Sequence, residues 1–209
     1  MDTQRRLKRR KYYHLHSVRA IQGKLPCLVR CRNSRRKTLR LFIRQCSISD
    51  LDQIMALQGR VIRALPNIDT FVPSSRAELT DSLENDFCIC AIYKRKIIMF
   101  SSMIINRVTP RQIGASLGYN EDQLNRCVTY DATFVDPTFR GYGLQNLAMW
   151  FRDNKSISLG VAEALVTVSP KNPASYQNIR AAGFRAFARQ QMYHGVDRII
   201  MRKTFGGSL

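Results

Sequence analysis

No stretch of this sequence approaches the ~18 uninterrupted apolar residues of a membrane-spanning helix. Its basic start also has no apolar segment of the roughly seven to fifteen residues that a secretory leader requires. A soluble cytoplasmic protein with no membrane contact is the simplest expectation. A cysteine framework is missing too. Six cysteines occur, at positions 27, 31, 46, 88, 90 and 127, but four sit in strand-like apolar runs, where cysteine behaves as a small buried hydrophobe. Cys27 and Cys31 have a loose ligand-like spacing with no second Cys or His pair at finger spacing after them, so no metal is expected. Acids are the remaining shortage, with 15 Asp and Glu against 34 Lys and Arg for a formal net charge of +19.

The excess is unevenly placed. Residues 1–40 hold 14 basic residues against the single acid Asp2, and the other 169 residues hold 20 against 14. The expectation is a basic, flexible N-terminal arm over residues 1–37 and one domain over 38–209, because so much like charge resists collapse without a partner. Clusters at Arg5–Lys11 and Arg35–Lys37, with Tyr12, Tyr13, His14 and His16 beside the first, suit a weak polyanion or RNA contact that falls with salt. The bland alternative is a solvated tail. With 209 residues, 44% of them apolar, the chain can build one full core.

Alternation marks a first strand from Thr38, with Leu39, Leu41 and Ile43 on one side. A helix follows, capped near Ser49, its apolar face traced by Leu51, Ile54, Met55, Gln58, Ile62 and Leu65 before Pro66. Ser74 or Ser75 caps a shorter one to about Asn85. Phe87–Tyr93 and Ile97–Ile105 read as a hairpin with a charged tip. Val108–Arg126, with Pro110, Gly114 and Gly118, has loop chemistry, with one helical turn expected after Asn120. Strand, helix, strand, helix and a terminal strand pair then follow at 127–135, 143–158, 164–168, 173–182 and 187–203.

The order pivots on Tyr130–Trp150. A β-branched and aromatic strand stops at Asp136-Pro137, and Leu144, Leu147, Ala148 and Phe151 then recur at helical spacing. Between them lies Arg140-Gly141-Tyr142-Gly143. Two glycines let backbone approach a ligand. A helix start offers unpaired N–H groups and the positive end of the dipole, which suit a phosphate, and Arg140 adds a fixed cation. A tight turn with a surface arginine is the plain alternative.

Val135-x-Pro137-x-x-Arg140-Gly141-x-Gly143 resembles the cofactor motif of the GNAT family of N-acetyltransferases. Asn172-Pro-Ala-Ser175, followed by Ala182-Gly183-Phe184, resembles that family's next segment. The resemblance covers roughly Thr38 to Thr204. It implies an α/β fold with a mixed, mostly antiparallel central sheet flanked by helices, and transfer of an acetyl group from acetyl-CoA, as co-substrate, to an amine of a small molecule or protein. A ribosome- or nucleic-acid-associated protein with an inert CoA-binding domain is the alternative.

Residue by residue, the resemblance implies that the backbone of Phe134 and Val135 meets the pantetheine arm. It implies that the N–H groups of Arg140, Gly141, Tyr142, Gly143, Leu144 and Gln145 hold the pyrophosphate. Gln145 stands where the family usually has Gly or Ala. Asn172 stands where a side chain contacts the cofactor arm, although it equally suits a helix N-cap. Asp131 is the expected base, since burial on an apolar strand raises a carboxylate's proton affinity. The family's usual acid position holds Ile179, so Tyr176, close to one turn earlier, is the expected acid, with Tyr130 and Tyr142 as further candidates.

Overall fold

The computed structural model describes residues 24–193 and 195–206, together with the backbone of Tyr13–His14. The two-residue strand β1 (Tyr13–His14) is followed by β2 (Cys27–Arg32), β3 (Thr38–Gln45), α1 (Leu51–Arg63), α2 (Arg76–Asn85), β4 (Phe87–Tyr93) and β5 (Lys96–Ile105). Two short helices come next, α3 (Ile113–Ser116) and α4 (Glu121–Asn125). The rest is β6 (Cys127–Val135), α5 (Leu144–Ser158), β7 (Glu163–Val168), α6 (Pro173–Ala181), β8 (Arg185–Met192) and β9 (Val196–Thr204). The strands form one sheet in the order β1-β2-β3-β4-β5-β6-β7-β9-β8. Every pairing is antiparallel except β6 with β7.

The sheet begins before the boundary expected at Thr38. Cys27, Val29 and Cys31 alternate inward and are 5%, 2% and 0% exposed, and β2 pairs with β3 from Cys27↔Ile43 to Arg32↔Thr38. The positive charge of this stretch sits on the other side, at Arg30 and Arg32, so net charge concealed a half-buried strand. Residues 1–12 and 15–23 of the expected arm, including the Arg5–Lys11 cluster, Tyr12 and His16, lie outside the described residues.

Helices cover both faces. Cys88 and Cys90 of β4, with Ile97, Phe100, Ala132 and Phe134, pack against Leu51, Ile54, Leu57 and Val61 of α1 and Leu79 of α2. The opposite face, with Leu41, Ile43, Ile89, Ala91 and Ile98, packs against Leu147, Ala148 and Phe151 of α5. The buried stripe of α1 runs through Leu57, Gln58 and Val61 rather than Met55 and Ile62. The Ser75 cap forms a capping box with Glu78, and the hairpin tip turns through Lys94 and Arg95 at φ 48° and 65°, the left-handed pair of a two-residue turn. Among the described residues, no helix is long and apolar enough to cross a membrane.

Candidate active site

Strands β6 and β7 start side by side and then part. Parallel pairing runs only from Cys127↔Glu163 to Thr129↔Leu165, while β6 continues to Val135, held on its other side by β5, and β7 to Val168. The wedge between them is a cleft of about 150 Å³, lined on one wall by Asp131–Phe134 and on the other by Val166–Ser169. Beyond Thr129, among the described residues, the β7-facing edge of β6 has no strand partner, so its backbone groups can pair with an extended ligand.

The loop above the cleft is built from its first residue. Asp136, 2% exposed, donates its N–H to the Ile98 carbonyl at 2.9 Å. Its carboxylate accepts from Thr138 N–H at 3.1 Å, Thr138 Oγ1 at 2.7 Å and Arg60 Nε at 2.7 Å. Burial alone would raise the Asp136 carboxyl, but the Thr138 donors and Arg60 outweigh it and hold it below the usual carboxylate range. The chain then turns through Gly141 and Gly143 at φ 83° and 73°, where a side chain would strain the backbone. No side chain caps α5, and among the described residues the N–H groups from Gly141 to Asn146 have no hydrogen-bond acceptor. That row of unpaired donors, with the exposed Arg140, has the donor arrangement and charge that suit an anion. The β2–β3 hairpin adds Arg35 and Lys37, which line a shallow hollow with Arg140, Gly141 and Tyr142.

Gln145 does not close the loop. Its side chain is tied to α6, donating to Ser175 Oγ at 3.0 Å and accepting from Asn178 Nδ2 at 2.8 Å. Asn172 caps α6, its side chain accepting from Ser175 N–H at 3.0 Å, and it also lines the cleft. Phe134 is buried in β6 opposite Phe100 and lies 5.5 Å from the ring of Phe71. Val135 pairs with Met99.

Asp131 lies on the cleft wall. It accepts from Arg111 Nε at 2.9 Å and from Ser102 Oγ at 3.3 Å. Burial raises its proton affinity, and Arg111 and Ser102 offset only part of that. The irregular segment 108–126 thus supplies a charged partner to the site through Arg111, which also reaches Glu78 at 3.1 Å.

Tyr176 does not join Asp131. It packs, partly buried, against the larger core, while Ile179, three residues on, lines the cleft. The cleft-lining residues of α6 are Asn172, Ser175 and Ile179, and Tyr176, one position after Ser175, is turned about 100° round the helix from it. Tyr130 is also elsewhere: 1% exposed, it donates its hydroxyl to Asp153 of α5 at 2.9 Å. Tyr142 belongs to the hollow beside the hairpin. The tyrosine at the cleft is Tyr193, the first residue of the β8–β9 turn, with φ 52° and its hydroxyl 3.3 Å from Thr167 Oγ1. Burial pushes its phenol up, so it keeps its proton at neutral pH. Arg111, Arg152, Tyr193 and Arg198 line the cleft and carry no motif. Only Arg152, a charge directly after the apolar run Met149–Phe151 on the same helix, left a sign in the sequence.

No protein-family model matches the chain, and no curated protein matches it. Solved structures do. An acetyltransferase of the GNAT family from Streptococcus pneumoniae superposes with a TM-score of 0.61 at 17% identity, covering 79% of this chain and 99% of that one. The ribosomal-protein-S18-alanine N-acetyltransferase from Escherichia coli gives 0.60 at 17%, covering 80% and 96%. A phosphinothricin acetyltransferase from Sinorhizobium meliloti, solved with acetyl-CoA, gives 0.60 at 18%, covering 79% and 89%. The chain has the GNAT fold, with its mostly antiparallel sheet flanked by helices.

Proposed function

We propose that this protein, built on the GNAT fold, transfers an acetyl group from acetyl-CoA to an amine. The observation that carries this reading is the coincidence of three features: a parted β6–β7 pair, a row of N–H groups at the start of α5 unpaired among the described residues, and a buried carboxylate on the cleft wall. Fold alone does not imply activity, so the reading rests on the chemistry of those groups.

The residues fit the co-substrate. The donors from Gly141 to Gln145 and the charges of Arg140, Arg35 and Lys37 suit a pyrophosphate. The free edge of β6 at Phe134 and Val135 suits an amide-bearing arm, and Asn172 stands opposite on α6. Acetyl-CoA supplies an acyl group activated as a thioester. Asp131 accepts the proton that the amine releases on attack, and its raised proton affinity brings it closer to the value that general-base work favours. Tyr193 donates a proton to the departing thiolate, which its raised affinity equips it to hold until then. Arg111 keeps the Asp131 carboxylate oriented.

Calorimetric titration of acetyl-CoA into the full chain tests the reading, beside an Arg140→Glu variant. Saturable binding by the parent and its loss in a still-folded variant are expected. A folded parent that takes up no acetyl-CoA would end the acyl-transfer reading.

A further inference from the structure

Arg198, near the start of β9, is 4% exposed. Its guanidinium makes a single recorded contact, Nη1 donating to the Thr70 carbonyl at 3.4 Å. Nε and Nη2 are buried with no partner among the described residues. The neighbouring carboxylate is taken: Asp197 accepts from Arg189 Nε at 3.0 Å and Nη2 at 2.5 Å. Arg198 lines the same cleft as Asp131.

The charge in that cleft does not balance. Arg111, Arg152 and Arg198 line it against one carboxylate, Asp131, and Arg111 already serves Asp131. Arg152 is 1% exposed, lies 4.4 Å from the Tyr130 ring centroid, and has an unpartnered Nε. Buried charge without a counter-charge is costly, and water can satisfy its donors but not its charge. Such groups ask for an explanation, and an anion that arrives with the ligand provides one.

The vacant donors have a particular shape. Nε and Nη2 lie on the same side of the guanidinium and form the fork that takes both oxygens of a carboxylate. This molecule uses that fork twice elsewhere. Arg107 holds both oxygens of Asp86 through Nε and Nη2, each at 2.8 Å, and Arg189 holds Asp197 the same way. In Arg198 the fork has no partner among the described residues, and it belongs to the cleft wall.

We infer that the acetyl acceptor is a small amine that also carries a carboxylate, an amino-acid-type substrate, with Arg198 gripping the carboxylate while the amine faces Asp131. The inference rests on the acyl-transfer reading and gives it a substrate class. Arg198 is then a specificity residue on the acceptor side, separate from the proposed pyrophosphate site at α5.

The test follows thiol release from acetyl-CoA by the full chain with each common L-amino acid, its carboxamide, and the carboxylate-free diamine putrescine. At least one amino acid is expected to exceed its own carboxamide in kcat/KM by roughly tenfold to a hundredfold, the scale of a charge-assisted fork. Arg198→Gln should bring that ratio close to one, chiefly through KM, with acetyl-CoA binding unchanged by calorimetry, and Arg198→Lys should restore part of it. Equal use of acid and amide by the parent overturns the inference, and so does preference for putrescine. It is also overturned if a parent that binds acetyl-CoA acetylates no carboxylate-bearing amine. The acid-to-amide comparison in the parent decides the matter even if the Arg198 variants do not fold. A parent that does not bind acetyl-CoA instead removes the acyl-transfer reading, and this inference falls with it.

Discussion

Asp131 sits where two demands meet: it must be buried enough to want a proton and partnered enough to stay ordered. Replacing it with Asn should lower kcat about a hundredfold or more, the ordinary contribution of a general base, with acetyl-CoA affinity little changed. Because burial holds its proton affinity up, the acid limb of kcat/KM should fall above the ~3.9 of an ordinary aspartate: below its folded value the carboxyl is protonated and cannot accept. Tyr193→Phe should lower kcat by roughly tenfold to a hundredfold at similar KM, whereas Tyr176→Phe should leave turnover near the parent's. A pH–rate profile and the two phenylalanine variants check these together. At this scale the sequence was a partial guide. The place of Asp131 on the cleft wall was legible because its strand and spacing were. Tyr193, Arg111 and Arg198 were not, since each reaches the cleft from a loop or strand far away in sequence, and no local pattern records such a meeting.

At the scale of elements, the loop from β6 to α5 depends on Asp136 as its foot. Asp136→Asn should destabilise the protein by about 2 kcal/mol, because a buried carboxylate holding Arg60 and two Thr138 donors is lost while Arg60 remains partly exposed. The sign with pH follows from the depressed folded value. The stabilisation is fully present above the ordinary aspartate range and is lost as pH falls through the lower folded value. The difference between parent and variant in urea midpoint should therefore be largest near pH ~7 and shrink below pH ~4. The loop itself was legible, since Asp-Pro, two glycines and a change of period mark it. Its two short neighbours α3 and α4 were only half legible. The cap of α4 at Asn120 was visible, but Ile113–Ser116 is four residues long, too short for a period to register.

For the whole molecule, β2 changes what the minimal folded unit is. A chain starting at Lys24 should keep one cooperative thermal transition. A chain starting at Thr38 should lose several kcal/mol, because Val29, Cys27 and Cys31 no longer cover Leu41 and Ile43. Thermal denaturation of the two truncations measures this, and equal midpoints would mean that β2 adds little. The positive charge also acts at this scale. Arg35 and Lys37 project from the β2–β3 hairpin towards the Arg140 loop, so part of the basic N-terminal region borders the proposed pyrophosphate site instead of standing apart from it.

The sequence by itself determined the element order from Thr38 onward apart from α3, the caps of α2, α4 and α6, and the glycine loop, because each depends on residues a few positions apart; the cap expected near Ser49 falls instead at Asp50. It also fixed the alternation that makes β6 a buried strand. Tertiary structure alone decided that β6 and β7 part after Thr129, that Arg111 crosses to Asp131, and that the Arg198 fork has no partner among the described residues. These depend on packing between segments separated by tens of residues, where burial and charge balance are set by the whole sheet.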